Sequence, residues 1–348
     1  MPMKKNTSPL IGIVLAGMLA LLGTSASADI GYQFVSVGNA GNANDSATGS
    51  LYGGVGYNYS IGQYDVTLNQ YATFLSAVAQ TDTHALYNPN LATDLNSAGI
   101  SRTGSSGSYI YAVIGNGLRP VTYVSWFDAA RFSNWLQNGQ PTGLGEVAGS
   151  TEEGAYTLDG ANTGVSISKN SNASYWIPSK NEWYKAAYYD PNKGGPGVGG
   201  YWTYATKSNS APGNVVGGGT NQANYVNDLG ADVYSVTQSS SYSTSQNYLT
   251  PVGAFTNSAT AYSTYDQNGD VWNWSDAITG SSRGLQGGAW DSGASNLPSA
   301  GQNSIDPTFE GHDIGFRLAS SVPEPTVAVS LILAGGLLLS RRKRPSAL

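Results

Sequence analysis

The spacing of apolar positions predicts three amphipathic helices in a chain that is otherwise rich in turns. Apolar residues recur at intervals of three and four after Thr67, which predicts a helix over 68–79 with Thr67 as its N-cap. Two capping boxes, Ser125 with Asp128 and Ser179 with Glu182, predict the starts of two more helices. Short β-rich runs predict strands over 61–66 and 109–114 and an edge strand near the start of the domain. The segment 138–174 is expected to be a polar, Gly-rich insertion, and 207–247 a polar loop. Arg317, which is flanked by apolar residues, is expected to be a buried or semi-buried guanidinium paired with a carboxylate.

The stretch over 265–274, Tyr-Asp-Gln-Asn-Gly-Asp-Val-Trp-Asn-Trp, is a turn followed by a run of large apolar residues. Asp or Asn stands at every second position from Asp266 to Asp270, as in the first half of a calcium loop. An EF-hand needs Gly at the sixth position and a carboxylate at the twelfth, but Val271 and Ala277 stand there, so that motif is excluded. A capped turn that leads into the core and a different oxygen-ligand calcium site both remain open.

The composition favours a loop-rich fold and excludes several kinds of catalytic and metal site. The chain of 348 residues has 45 glycines and 23 tyrosines, and only 11% of its residues are charged. It has no cysteine, which excludes disulfides, thiolate metal sites and a cysteine nucleophile. Its two histidines, His84 and His312, are too few for a zinc or iron site built from histidines.

The charge distribution excludes nucleic acid as an expected partner. The net charge is −6, and six of the 16 basic residues lie in the two terminal segments, so the region between them is strongly acidic. Such a surface repels nucleic acid and anionic lipid headgroups. It is compatible with cations and with neutral, hydroxyl-rich ligands.

The first 28 residues have the three parts of a secretory signal peptide. A basic region at Lys4 and Lys5 precedes an apolar run over 10–22, and a small-residue cleavage site ends at Ala28. An uncleaved membrane anchor is less consistent with so short an apolar run. We therefore expect export by the secretion machinery and a mature chain that begins at Asp29.

The last segment, 321–348, combines a rigid motif, a short apolar stretch and a basic tail. The apolar stretch over 326–340 would be roughly 22 Å long as a helix, short of the ~30 Å hydrocarbon core. It is a marginal transmembrane segment that the basic tail would hold at the cytoplasmic side. The motif and the tail are formed by Pro323, Glu324 and Pro325, and by Arg341, Arg342, Lys343 and Arg344.

The C-terminal order of motif, apolar stretch and basic tail can be interpreted as an ordinary tail anchor. The same order resembles the PEP-CTERM sorting signal more closely. That resemblance implies recognition by an exosortase, a membrane protease-transpeptidase of Gram-negative bacteria that make exopolysaccharide. It also implies an intermediate anchored in the inner membrane, and then a place at the cell surface or in the extracellular matrix.

Several blocks between the two ends resemble, in order, the formylglycine-generating-enzyme or sulfatase-modifying-factor family. They are Tyr-Asp-Val-Thr at 64–67, Pro-Val-Thr-Tyr-Val-Ser-Trp at 120–126, Trp-Ile-Pro-Ser-Lys-Asn-Glu-Trp at 176–183, Gly-Asp-Val-Trp-Asn-Trp at 269–274, Arg-Gly and Gly-Gly-Ala-Trp within 283–290, and Gly-Phe-Arg at 315–317. The resemblance implies a single α+β domain over 29–320. We expect it to be irregular, related to C-type lectins and poor in regular secondary structure.

The resemblance also implies site residues. The family's calcium segment corresponds to Asp270, Val271 and Asn273, where Asn273 replaces a glutamate and should weaken the site. The two cysteines that bind copper in the family's oxidase correspond to Ser292 and Leu297. Neither residue can act as a thiolate ligand, so we expect no copper site and no oxidation by the family's route.

Three functions remain open. The first is a non-catalytic surface domain that binds or organises extracellular polysaccharide. The second is an enzyme with altered chemistry, for which Ser292, His312 and Asp313 are candidate catalytic residues and Asp291 a candidate orienting residue. The third is a purely structural matrix protein.

Overall fold

The computed structural model describes residues 30–230 and 232–322. The predicted signal peptide and the sorting signal from Pro323 onward lie outside these residues. Within them, no helix is long and apolar enough to cross a membrane.

The helices are short and begin at polar caps. They are α1 (Leu68–Val78), α2 (Asn90–Thr93), α3 (Trp126–Gln137) and α4 (Lys180–Tyr188), with short 3-10 turns at Ser46–Thr48 and Ala294–Asn296 and a π turn at Ala148–Glu152. Thr67, Ser125 and Ser179 each accept the N3 amide of their helix, and the N3 side chain returns a hydrogen bond to the cap. All three predicted helix starts are therefore confirmed.

Fourteen short strands are distributed over several small sheets in the described chain. They are β1 (Phe34–Val37), β2 (Tyr59–Gly62), β3 (Ile100–Thr103), β4 (Ile110–Val113), β5 (Tyr175–Trp176), β6 (Tyr189–Asp190), β7 (Gly200–Tyr201), β8 (Val226–Asn227), β9 (Val233–Tyr234), β10 (Trp272–Thr279), β11 (Ser282–Gln286), β12 (Asn303–Ile305), β13 (Ile314–Gly315) and β14 (Ala319–Ser321). This mixture of short helices and small sheets confirms the predicted irregular α+β class.

Two four-stranded sheets organise the domain. One has the order β1-β2-β14-β5 and is antiparallel, so the first and last strands of the domain share a sheet. The other has the order β12-β11-β10-β13, in which β13 runs parallel to β10. The main core is rich in aromatic residues: Phe132 of α3 contacts Phe74, Trp135 and Phe316 with ring centroids 5.2 to 5.7 Å apart.

Two expectations about the chain differ from the structure. The strand expected over 61–66 is Tyr59–Gly62, because the backbone leaves the sheet after Gly62 and Val66 instead donates to the carbonyl of Phe316. The polar segment 138–174 is not a separate insertion. Its Glu152 forms a bidentate pair with Arg131 of α3 at 2.7 and 3.1 Å, and its Tyr156 is fully buried.

Candidate functional site

The turn that precedes β10 is fixed by backbone contacts with a distant loop. Asp266, Gly269 and Asp270 all have positive φ, at 57°, 77° and 63°. The amide of Asp270 donates to the carbonyl of Asn224 at 2.8 Å. A Cβ on Gly269 would lie 2.0 Å from that same carbonyl oxygen, so only glycine fits at this point of the turn.

The Asp270 carboxyl group is buried and accepts hydrogen bonds on both oxygens. Oδ1 accepts from Asn224 Nδ2 at 2.8 Å and from the Thr250 amide at 3.0 Å, and Oδ2 accepts from Thr250 Oγ1 at 3.1 Å. Burial raises its pKa well above the usual range, and the neighbouring Asp266 carboxylate raises it further. Asp270 therefore ties the loops around Asn224 and Thr250 to the start of β10.

Asn273 belongs to a second buried network, centred on Arg317. Its Oδ1 accepts from Trp183 Nε1 at 2.9 Å and from Arg317 Nε at 2.7 Å, while its Nδ2 donates to Asp65 Oδ1 at 2.9 Å. Arg317 also donates to Asp65 Oδ1 from Nη2 at 2.9 Å. The expected buried ion pair of Arg317 thus has Asp65 as its carboxylate.

These contacts do not fit a calcium ion held by Asp270, Val271 and Asn273. The Asp270 and Asn273 side chains are directed into different networks, and Asn273 Oδ1 already faces a guanidinium. The Val271 carbonyl accepts from Asn273 Nδ2 at 3.3 Å. Within the described ranges, no three His, Asp or Glu side chains gather in a way that could hold a metal ion.

The loop after β11 contains the positions that match the family's cysteines. Ser292 Oγ accepts the Ala289 amide at 3.0 Å and so closes a tight turn, in which the Ser292 amide donates to the Ala289 carbonyl. Leu297 is fully buried beside Ala223 and Tyr225. Ser292 therefore stabilises the loop by hydrogen bonding and Leu297 by packing.

The structure brings Asp291 and His312 together, as an exposed pair. Asp291 Oδ2 lies 2.9 Å from His312 Nε2, and the two side chains are 32% and 42% exposed. The hydrogen bond to Asp291 raises the pKa of His312, and the charges of Asp313 and Asp94 add to this effect. Burial raises the pKa of Asp313 to about 6.

The candidate hydrolytic arrangement is only partly assembled. His312 meets an acid, but the described contacts of Ser292 Oγ are with the backbone of its own turn. The pair of Asp291 and His312 can exchange a proton and can donate to or accept from a hydroxyl group.

A row of stacked rings borders this pair, and sequence reasoning missed it. Trp290 and Tyr248 stack with centroids 4.9 Å apart, Tyr248 and Tyr242 stack at 5.8 Å, and Tyr234 lies 4.7 Å from Tyr248. We call these four residues the aromatic face. The inner rings are buried, but Tyr242 is 53% exposed, and His312 packs 5.5 Å from Trp290. Three of the rings come from the polar segment 207–247 and the residue after it, whose Tyr content was its one signal.

Asn96 holds the exposed end of the aromatic face in place. Its Nδ2 donates to the carbonyls of Ser243 and Gln246 at 2.8 Å each, and its Oδ1 accepts from the Tyr242 hydroxyl. The neighbouring Asp94 accepts from the Tyr123 hydroxyl. Burial raises the pKa of Tyr242, and the charges of Asp94 and Asp291 add to this effect, so both carboxyl groups act on the exposed ring.

The sequence matches a known protein family over most of its length. The model of the Sulfatase-modifying factor enzyme 1-like domain (FGE-sulfatase) matches residues 54–322. The chain therefore belongs to the FGE-sulfatase family, as its ordered motifs predicted. The match contains all the site residues described above.

Solved structures with a similar fold were also found. The crystal structure of CarF is 22% identical, with a TM-score of 0.45, and the match covers 84% of this chain and 99% of CarF. Treponema denticola variable protein 1 is 18% identical, with a TM-score of 0.46 and coverage of 84% and 95%. PvdO from Pseudomonas aeruginosa is 18% identical, with a TM-score of 0.40 and coverage of 77% and 82%. No curated protein sequence matched at a significant level.

Proposed function

We propose that this protein is an exported, exosortase-processed surface protein whose FGE-sulfatase domain binds extracellular polysaccharide and does not catalyse the family's oxidation. The observation that carries the proposal is the aromatic face, in which Tyr242 is exposed beside Asp291 and His312. An aromatic ring offers an apolar surface to the C–H face of a sugar ring. The carboxylate and imidazole accept and donate hydrogen bonds to its hydroxyls.

The loss of catalysis follows from the residues at the matched cysteine positions. The oxidation needs two thiolates, and the sequence has no cysteine. Ser292 and Leu297 instead close and pack the loop that supports Trp290. In this proposal the loop after β11 positions Trp290 in a binding surface instead of carrying catalytic residues.

The strongly acidic region between the termini determines which charge a bound polysaccharide is expected to have. It favours neutral chains over anionic ones, because anionic groups would be repelled. Binding is proposed to be independent of calcium, because the oxygens of Asp270 and Asn273 are already committed to protein donors.

A polysaccharide panel tests the proposal. We expect the purified protein to bind neutral bacterial exopolysaccharides in the presence of EDTA. Tyr242→Ala should weaken this binding about ten-fold, the loss expected when about 1.4 kcal/mol of stacking is removed. Tyr57→Ala is the matched control, because Tyr57 is 50% exposed but lies outside the aromatic face. No binding to any polysaccharide, or an equal loss in both variants, would leave a structural matrix protein.

A further inference from the structure

An open cavity of about 610 Å³ lies where the hairpin of β6 and β7 meets the loop that contains the 3-10 turn at Ser46–Thr48. Its volume lies within the range of about 300 to 1,000 Å³ that is typical of small-molecule sites. The four residues of the aromatic face are not among the described residues that line it. The lining residues on which the inference rests are Asp45, Ser46, Tyr189, Lys193, Tyr201 and Asn209.

The register of the hairpin brings two tyrosine rings together in this wall. Tyr189 of β6 lies directly opposite Tyr201 of β7, and residues that are opposite in an antiparallel pair share a face of the sheet. Their ring centroids are 5.0 Å apart in an edge-to-face arrangement, and both residues are only partly buried. Gly199 leaves room for the first ring, because a Cβ there would lie 2.0 Å from the Tyr189 hydroxyl oxygen. The hairpin therefore supplies the apolar surface against which a sugar ring can pack.

The loop before the 3-10 turn is held to this hairpin by hydrogen bonds. Asn42 Nδ2 donates to the Tyr201 hydroxyl at 2.6 Å, and that hydroxyl donates to the Ala43 carbonyl at 2.8 Å. In the same loop, Asp45 accepts from the Tyr184 hydroxyl of α4 at 2.6 Å. These contacts fix the two parts of the wall relative to each other, so the cavity is formed before a ligand enters it.

The two charged residues in the described wall have opposite signs, and both are already compensated. Lys193 donates to the Tyr201 carbonyl, and its Nζ lies 4.7 Å from the centre of the Trp202 ring. The Asp45 carboxylate accepts a hydrogen bond on each of its oxygens. Neither group needs a counter-ion, and together they contribute no net formal charge. The wall therefore favours a neutral ligand over an ion.

Three polar groups of the wall are available to such a ligand. The Ser46 hydroxyl, the Tyr189 hydroxyl and Asn209 Nδ2 form no hydrogen bond with any residue in the described part of the chain. Ser46 and Asn209 are exposed. The Asn209 amide is held by its other atom, since Oδ1 accepts from the Thr203 amide and hydroxyl at 3.2 Å each. Two hydroxyls that donate and accept, with one amide donor, match the hydroxyl groups of a sugar.

We infer that this cavity is a second saccharide site, which binds one neutral, hydroxyl-rich ring against Tyr189 and Tyr201 with Ser46 and Asn209 at its hydroxyl groups. Partly exposed rings, unpaired polar groups and balanced charge together suit a neutral sugar. The site does not depend on the aromatic face. One domain with both sites could bridge two polysaccharide chains, a consequence that rests on the proposed function.

Titration of the Tyr242→Ala variant tests the second site, because this variant lacks the exposed ring of the aromatic face. The probes are maltotriose, cellotriose and tri-N-acetylchitotriose, with trigalacturonate as the anionic counterpart. We expect at least one neutral trisaccharide to bind, and trigalacturonate to bind at least about ten-fold more weakly. If no neutral trisaccharide binds, or if trigalacturonate binds as tightly, the inference is overturned.

Further substitutions in the Tyr242→Ala variant locate the binding. Ser46→Trp should fill the cavity and weaken trisaccharide binding about ten-fold, because Ser46 is exposed and its hydroxyl has no partner to lose. Ser105→Trp is the matched control, at an exposed serine outside the cavity wall, and should leave binding unchanged. Asn209→Asp keeps the acceptor for Thr203 and removes the Nδ2 donor, so it should weaken binding about three- to ten-fold. Equal affinities for the two tryptophan variants would overturn the assignment.

Precipitation of a neutral polysaccharide measures whether both sites act together. The wild type should cross-link and precipitate it, whereas Tyr242→Ala and Ser46→Trp should each still bind it without precipitation. If Ser46→Trp abolishes all binding and Tyr242→Ala has no effect, the proposal for the aromatic face fails and this inference stands. If Tyr242→Ala abolishes all binding and Ser46→Trp has no effect, this inference alone is overturned.

Discussion

Arg317 links the beginning and the end of the domain through one buried guanidinium. It contacts Asp65 across 252 positions of sequence and Asn273 across 44. The sequence showed that an arginine between apolar residues needs a carboxylate, since a buried charge is costly without one. It could not show which of the 22 acidic residues that is, because the pairing depends on how β14 returns to β2.

The exposed pair of Asp291 and His312 should make stability depend on pH. The fold raises the pKa of His312, so its protonated form is favoured in the folded state. The stability from this pair is therefore fully present below the unfolded pKa of about 6.5 and is lost as pH rises through the folded pKa. Because both side chains are partly exposed, the contribution should stay below about 1 kcal/mol.

Urea unfolding of the wild type and of His312→Gln measures this contribution. We expect His312→Gln to be less stable than the wild type at about pH 5.5 and nearly equal to it at about pH 8.5. Comparing the two proteins at each pH cancels the titration of groups that do not interact with His312, whereas the interaction of His312 with Asp313 is part of the measured difference. Asp291→Asn should remove the same pH-dependent difference. A constant difference at both pH values would show that His312 acts only through packing.

At the scale of elements, local signals predicted the helices and missed most of the sheet register. The three helix starts depend on residues three positions apart, such as Ser179 and Glu182, and all three are present. Strand β2 depends instead on β14, which lies at the far end of the domain. Its predicted limits were wrong because nothing between positions 61 and 66 shows where that partner ends.

Two glycines with similar backbone angles should respond very differently to alanine. Gly269 has φ of 77° and Gly280 has φ of 61°, and a Cβ on Gly280 would meet nothing within 4 Å. Gly280→Ala should therefore cost only about 1 to 2 kcal/mol, the usual penalty for left-handed backbone. Gly269→Ala should cost at least about 3 kcal/mol, because its Cβ would also collide with the Asn224 carbonyl.

Thermal and urea unfolding of the two alanine variants distinguish the cost of left-handed backbone from the cost of the clash between the Cβ at position 269 and the Asn224 carbonyl. Similar losses would mean that the loop around Asn224 can move away from the turn at little cost. In that case Asp270 would not tie the two segments together as its hydrogen bonds indicate.

At the scale of the whole molecule, the family could be predicted and the binding surface could not. The family's motifs are short runs of sequence, and the matched region of 54–322 confirms what they indicated. The aromatic face takes one ring from β9, two from the loop after it and one from the loop after β11, and it meets His312 from a fourth segment. The sequence around each of these tyrosines is that of an ordinary loop. No local pattern therefore predicts that the four rings contact one another in the folded domain.

The predicted sorting signal concerns the fate of the whole chain and is tested in cells. In this proposal the motif formed by Pro323, Glu324 and Pro325 is what the exosortase recognises. Replacing all three with alanine should leave the folded domain unchanged and keep the unprocessed chain in the inner membrane. Immunoblots of membrane and surface fractions from an exosortase-bearing host would show a longer, membrane-bound band. Pro345→Ala, beyond the basic cluster, is the matched control and should be processed normally. If the triple variant is cut and released like the control, the C-terminal segment is an ordinary tail, and the route by which the domain reaches extracellular polysaccharide must be a different one.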